Sequence, residues 1–150
     1  MCLRAGAGSL ITRDAVVQVM RLAEAHPRRE VCGLVVRRGT GEEVEAIEIP
    51  NAVAAAQAGV AFEMDAGEQL KVVRQLDEEG GVVLALFHSH VDAPAEPSPR
   101  DVTDVFSGGD PLWPGAEHLI VAVRRGRSVE VRRYRAVGGA LRPIVEGEAN

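Results

Sequence analysis

The sequence lacks the features that mark several classes of protein. It has only two cysteines, Cys2 near the start and Cys32 inside an apolar run, so a disulfide framework is not expected. No stretch approaches the roughly 20 apolar residues that span a bilayer, and residues 1–10 carry no sustained apolar segment typical of a signal peptide. We therefore expect a cytoplasmic protein with no membrane association.

An excess of basic charge is also missing. The formal net charge is −5, which argues against nucleic acid as a partner. Arginines that alternate with apolar residues near the end of the chain favour a solvated strand face over a site for an acidic partner; they are Arg124, Arg125, Arg127, Arg132, Arg133 and Arg135. Length and a hydrophobic fraction of 46% are typical of one globular domain over residues 1–150, with a core at about 10–136 and flexible ends.

Caps and periodicity predict three helices. Thr12 can cap the first, which Pro27 stops, and its apolar face comprises Val16, Val19, Met20 and Ala23. The second runs from about 66 to 79, ends at the Gly80–Gly81 pair, and presents Leu70, Val73 and Leu76 on one side. Ser98 and Pro99 are typical of the start of a third helix.

Apolar runs between turn residues predict strands that alternate with these helices. They cover residues 30–38, 44–49, 62–65, 82–87, 119–123 and 129–134. The run at 82–87 is uninterrupted by polar residues, so we expect a central strand that is buried on both faces. The order of elements indicates an α/β fold of two or three layers with a mixed β-sheet flanked by helices.

His88 and His90 directly follow this central strand. Residues two apart on a strand share a face, so both imidazoles can converge on one metal ion. A catalytic zinc site uses three protein ligands and keeps a fourth position open. The His-x-His pattern alone favours polar residues at the end of a strand over a metal site.

Asp101 can supply the third, anionic ligand. It follows Ser98 by one helical turn, after a loop that contains Pro94, Pro97 and Pro99. Ser98 and Asp101 also have the spacing of a capping box, which is the simpler explanation of the pair taken alone. The two interpretations are compatible, because a cap would orient both side chains.

Glu30 opens the first predicted strand and can point into a pocket beside the metal. A carboxylate there can take a proton from zinc-activated water and pass it to a leaving amine. Alone, Glu30 is better explained as a solvent-facing acid after Arg28 and Arg29. Cys32 is interpreted as an inert core thiol, and His26 and His118 as structural residues.

Taken together, Glu30, His88-Ser89-His90, Ser98 and Asp101 reproduce the spacing of the JAMM (MPN-plus, JAB domain) metalloprotease signature. The chain resembles this family from about Leu10 to Ala136. Residues 62–72 and the closing strands around Tyr134 are most similar to its stand-alone bacterial subgroup, the CysO-cysteine peptidase type. One departure is Val91, where many members have proline.

The resemblance implies a curved mixed sheet flanked by helices, similar to the cytidine deaminase architecture. It further implies one Zn²⁺ held by His88, His90 and Asp101, with Glu30 as general base and then acid and Ser98 as the hydrogen-bond donor to the oxyanion.

The implied substrate is a ubiquitin-like sulfur-carrier protein with a C-terminal Gly-Gly, whose tail adds as a strand along residues 58–64, and the group released is cysteine. Alternatives are a deconjugating or processing peptidase for another bacterial ubiquitin-like protein and a non-catalytic scaffold. Whether the chain forms a homodimer stays open.

Overall fold

Residues 11–145 contain three α-helices and eight β-strands. A computed structural model describes residues 11–145. The helices are α1 (Arg13–Ala25), α2 (Ala66–Glu79) and α3 (Pro99–Asp104), and a 3₁₀ turn covers Ala55–Gln57. The strands are β1 (Cys32–Arg37), β2 (Val44–Ile49), β3 (Val82–Val91), β4 (Phe106–Ser107), β5 (Asp110–Pro111), β6 (Glu117–Arg124), β7 (Arg127–Val137) and β8 (Ala140–Pro143).

Six strands form one mixed sheet in the order β2-β1-β3-β6-β7-β8. Strands β3 and β6 are parallel, whereas the other neighbouring pairs are antiparallel. Strand β3 therefore lies at the centre, as its apolar sequence predicts, and is hydrogen-bonded along both edges. The short strands β4 and β5 form a separate hairpin.

The sheet carries a helix on each face. Val19 of α1 packs with Val35 of β1 and Phe87 of β3 in one apolar cluster. Leu76 of α2 packs with Leu34 and Val36 of β1 in another cluster. Because neighbouring residues of β1 point to opposite faces, α1 and α2 cover opposite sides, which gives a three-layer arrangement.

Local hydrogen bonds and turns fix the helix ends, as the sequence predicts for Thr12 and Gly80 but not for Asp65. The Thr12 side chain accepts a hydrogen bond from the Ala15 amide at the start of α1. Asp65 does the same for Glu68 in α2, and Gly80 ends that helix in the left-handed conformation with φ of 75°. The predicted apolar face of α2 is wrong at Leu70, whose side chain is exposed, while Leu76 is the buried anchor.

Residues 62–65 were predicted as a strand but form only a single bridge between Asn51 and Met64. The Asn51 side chain donates to the Ala61 carbonyl and accepts from the Glu63 amide, so it replaces a regular ladder. Asp65 is already the cap of α2.

The sequence pattern does not predict β4, β5 or β8. It predicts that the central strand ends at residue 87, whereas β3 continues to Val91. The predicted flexible ends at residues 1–10 and 146–150, and Cys2 with them, lie outside the described part of the chain. Among residues 11–145, none of the helices has the length and apolar character required to cross a bilayer.

Candidate metal centre

Strand β3 positions the two histidines. It runs to Val91, so His88 and His90 lie within the sheet and share one face. Cys32 and Ile120 flank His88 on the two adjacent strands. Both imidazoles are buried, with 8% and 7% of their surfaces exposed. Pairing on both edges fixes the backbone beneath the two rings.

The loop after β3 brings Asp101 to the same place. Ser98 and Asp101 form the capping box of α3, in which the Ser98 amide donates to Asp101 Oδ2 at 2.9 Å and Ser98 Oγ accepts from the Asp101 amide at 3.0 Å. The loop itself is anchored by the Tyr134 hydroxyl, which donates to the Ala95 carbonyl at 2.6 Å. The predicted cap and the predicted convergence with the histidines therefore occur together.

Three potential ligand atoms meet at one point. His88 Nε2 and His90 Nε2 are 3.2 Å apart, and each lies 3.1 Å from Asp101 Oδ2. The Nδ1 atom of His90 lies 2.7 Å from the Pro94 carbonyl, which can only accept a hydrogen bond. His90 Nδ1 therefore carries the proton, and its Nε2 directs a lone pair toward the other two atoms.

Electrostatics at this point favour an ionised aspartate beside a neutral His88; burial alone would also lower the pKa of His90, but its hydrogen bonds with Asp101 and the Pro94 carbonyl outweigh burial and raise it. Burial alone would raise the pKa of Asp101, but the contacts with His88 and His90 outweigh it and hold the pKa well below its usual value. Burial lowers the pKa of His88. The chemistry is that of a nitrogen, nitrogen and oxygen ligand set.

A second acidic residue, Glu30, lies beside the histidines on the segment that leads into β1. Its carboxylate and the ring nitrogens of His88 and His90 lie within 4.8 Å of one another. The Glu30 amide donates to the Ala58 carbonyl, and the Asn51 side chain donates to the Glu30 carbonyl, so the backbone is held on both sides. Burial raises the pKa of Glu30 to about 7. A solvent-facing Glu30 is therefore excluded, since only 6% of its surface is exposed.

The donor set fits a tetrahedral metal ion. Zinc–ligand distances near 2.0 Å separate neighbouring tetrahedral ligands by about 3.3 Å. The three separations among His88, His90 and Asp101 are 3.1 to 3.2 Å. Glu30 could complete an alternative set with the two histidines, but its contact is looser and its carboxyl retains a proton up to neutral pH.

Several residues around this centre make contacts that their positions in the sequence do not predict. Ser89 points away from the histidines, and its hydroxyl accepts from the Val31 amide at 2.8 Å, which ties β3 to the residue after Glu30. Phe62 stacks on the His88 ring with centroids 4.4 Å apart. Asn51 joins Glu30 to the loop at 58–64.

His118 also belongs to this neighbourhood, although its position in the sequence links it to no other group. It pairs with Leu86, two residues before His88, and its side chain is buried. Burial, together with the nearby His88, lowers the pKa of His118 to about 4. His118 is thus a neutral imidazole beside the centre.

The two remaining candidates have the structural surroundings that the sequence predicts. The Cys32 thiol donates to the Ile49 carbonyl at 3.3 Å, and burial raises its pKa to about 12, so it is not a nucleophile. His26 lies at the end of α1, 3.9 Å from a Glu48 carboxylate oxygen.

Comparisons with known proteins agree with this geometry. The chain is 32% identical over 137 residues, 88% of its length and 86% of the relative's, to the CysO-cysteine peptidase of Mycobacterium tuberculosis. It is 28% identical over 109 residues, 72% and 73% of the two lengths, to the desampylase of Haloferax volcanii. The solution structure of protein DSY2949 from Desulfitobacterium hafniense superposes with a TM-score of 0.67 at 25% identity and covers 89% of this chain and 87% of that one.

The family comparison covers the strands and loops that build the centre. Residues 12–137 match the family described as prokaryotic homologs of the JAB domain. This range contains Glu30, both histidines, Ser98 and Asp101. The resemblance noted from the sequence is thereby confirmed, and the chain belongs to the prokaryotic JAB-domain family.

Proposed function

We propose that this chain is a zinc-dependent peptidase that hydrolyses the amide bond after the C-terminal Gly-Gly of a ubiquitin-like sulfur-carrier protein and releases cysteine. In this proposal His88, His90 and Asp101 hold the metal, Glu30 transfers the proton and Ser98 stabilises the developing oxyanion. A cytoplasmic setting is part of the proposal, in keeping with the free thiol of Cys32.

The observation that carries the proposal is the meeting of His88 Nε2, His90 Nε2 and Asp101 Oδ2 within 3.1 to 3.2 Å of one another. A capping box alone would explain Asp101 but not two buried imidazoles aimed at its carboxylate. Zinc, when bound, would polarise the scissile carbonyl and acidify a water molecule.

Glu30 has the properties of a group that both accepts and donates a proton. Its pKa of about 7 lets the carboxylate take a proton from the attacking water and deliver it to the leaving amine near neutral pH. Hydrogen bonds with Ala58 and Asn51 fix the backbone of Glu30, so the segment that carries the carboxylate does not depend on the metal for its position.

Ser98 can act on the substrate without giving up its structural role. Its Oγ accepts the Asp101 amide hydrogen, and this contact leaves the hydroxyl proton available for another acceptor. We assign that proton to the substrate carbonyl oxygen as negative charge develops on it.

The substrate assignment draws on the relative named CysO-cysteine peptidase, which aligns over most of both chains. Two glycines would let an extended tail pass close to the metal ligands. We propose that this tail runs along residues 58–64, beside Phe62, which contacts His88.

The relative named desampylase supports a second candidate, a peptidase that removes another ubiquitin-like protein from its conjugates. One assay distinguishes the two. The zinc-loaded protein is given a sulfur carrier with cysteine attached after Gly-Gly and, separately, another ubiquitin-like protein joined through its C-terminal Gly-Gly to a lysine side chain of a second protein, and products are identified by mass spectrometry. Release of cysteine supports the first function. Cleavage of the lysine conjugate alone would support the second, and no cleavage of either would refute both.

A further inference from the structure

A cavity of about 330 Å³ opens beside the metal centre, and one edge of it, residues 62–64, belongs to the segment proposed above to hold the carrier's tail. His88 and Asp101 form part of its wall, so any group bound there lies next to the reacting bond. Most of the remaining wall is apolar and comes from separate segments; it includes Phe62, Met64, Val105, Leu112, Trp113 and Ile120.

The charged residues of this cavity lie at its mouth. Glu63, Arg100 and Asp104 are all exposed, and Arg100 is paired with Asp104 at 3.4 Å. Apart from the metal centre itself, two uncharged polar residues line the cavity, the half-buried Gln69 and the buried His118. A charged side chain that entered fully would lose its hydration, and the one acid of the interior, Asp101, would already be engaged by the metal in the proposed enzyme, whereas an apolar side chain would be removed from water.

We infer that this cavity, in an enzyme with the proposed function, is the specificity pocket for the side chain of the amino acid that is released. The two residues before the scissile bond are glycines and have no side chains to fill it, and the tail that precedes them is proposed to pass along the edge formed by residues 62–64. The residue after the bond is therefore the one whose side chain can occupy a space that His88 and Asp101 border.

The volume of the pocket allows it to bind side chains larger than that of cysteine. Its volume lies near the lower end of about 300 to 1,000 Å³ for small-molecule sites. That is enough for one large side chain and more than the single thiol of cysteine requires. The pocket therefore accepts uncharged apolar residues up to aromatic size, with leucine, methionine and phenylalanine as the preferred class.

The test uses the zinc-loaded full chain and a sulfur carrier extended after its Gly-Gly by one residue, which is alanine, cysteine, leucine, phenylalanine or lysine. We expect kcat/KM for leucine and phenylalanine to exceed that for alanine by about tenfold or more, because each methylene that fills an apolar pocket contributes to discrimination. Lysine should be cut no faster than alanine. Equal rates for all five, or a preference for lysine, would overturn the pocket while leaving the peptidase function intact; no cleavage at all would refute the function itself.

Substitutions separate the pocket from the catalytic centre. Trp113→Ala should reduce the preference for phenylalanine over alanine by about tenfold, and Trp113→Phe should restore it. Leu112→Ala, at the exposed rim, should give a smaller loss in the same direction without disturbing the core. Val129→Ala is the control, since Val129 is also exposed but lies outside the cavity. An unchanged preference in both cavity variants would contradict the inference.

Binding can be read without turnover. Trp113 is the single tryptophan of the chain, so its fluorescence reports on the pocket directly. In the Glu30→Gln protein, the leucine-extended carrier should change the emission and bind at least fivefold more tightly than the alanine-extended carrier. Emission that responds equally to both would argue against occupation of the pocket by the released residue.

Discussion

The two faces of β3 carry opposite kinds of side chain. Ala85 and Phe87 point into a dry apolar cluster under α1, whereas His88 and His90 point to the other face and are buried against Asp101. All four side chains are buried, but only the two histidines would be more stable with a metal ion beside them. One face thus contributes mainly stability and the other mainly chemistry, on alternate residues of one strand.

The largest expected effect is the loss of a histidine from the polar face. His88→Ala should reduce bound zinc from about one per chain to nearly none and turnover to less than about a thousandth, because two ligands do not hold a catalytic zinc. Metal content by plasma mass spectrometry and release of cysteine are the measurements. His26→Ala, at the end of α1, should change neither. A His88→Ala protein that keeps its zinc would remove His88 from the ligand set.

Glu30→Gln should separate metal binding from proton transfer. We expect zinc content to be unchanged and kcat to fall by about 10² to 10⁴, the usual contribution of a general acid–base group. Glu78→Gln on the exposed surface of α2 is the matched control. Loss of zinc in Glu30→Gln would instead make Glu30 a ligand.

The apolar face is tested at Gly33, which pairs with Phe87 across β1 and β3. A Cβ atom there would lie 2.1 Å from the Ile47 carbonyl oxygen and 2.6 Å from Phe87 Cζ. Gly33→Ala should lower the free energy of unfolding by about 3 kcal/mol in urea, with normal zinc content in the folded fraction. Gly41→Ala, with no atom within 4 Å of the added carbon, should change it by less than about 0.5 kcal/mol. Equal stabilities would contradict the division between faces.

On the polar face, the contribution of the Glu30 carboxyl to the free energy of unfolding should decrease as pH rises. The pKa of Glu30 is raised from 4.5 to about 7, so between these values the unfolded chain loses a proton that the folded chain retains. In the metal-free protein the contribution of Glu30 to stability should therefore fall by up to about 3 kcal/mol from pH 4.5 to pH 7 and no further above it, while the lowered pKa values of His88 and His118 act in the opposite direction, so the comparison with a Glu30 variant is the measurement. Glu30→Gln cannot titrate, so its advantage in urea unfolding should be small at pH 4.5 and largest near pH 8. The same advantage at both pH values would disprove the coupling.

Ser98→Ala should have the smallest effect of this series. We expect kcat to fall by about 10²-fold through loss of one oxyanion donor, and the free energy of unfolding to fall by about 1 kcal/mol through loss of the α3 cap. Ser98→Thr keeps both the hydroxyl and the cap and should restore both quantities. A kcat that is unchanged while stability falls would reduce Ser98 to its capping role.

Local signals predicted the helices well because their ends depend on neighbouring residues. Thr12 and Asp65 cap the helices that they precede, and Gly80 ends α2 in a conformation that glycine adopts most readily. Strands were predicted less well. The pairing of β3 continues through His90 because β6 extends beside it as far as Val123, whereas β1 pairs only up to His88, and no local pattern at His88-Ser89-His90 carries that information.

By itself, the sequence determined the chemical identity of the centre. Two imidazoles on one strand face, an acid at helix-capping distance from Ser98 and an isolated Glu30 are properties of residue type and spacing, and the family match covers all of them. Only the tertiary structure decided which distant residues surround that centre. Phe62 stacks on His88, His118 lies beside Leu86, and Trp113 borders the adjacent cavity. These contacts depend on the order of strands in the sheet and the paths of two loops, which are set by long-range packing and not by neighbours along the chain.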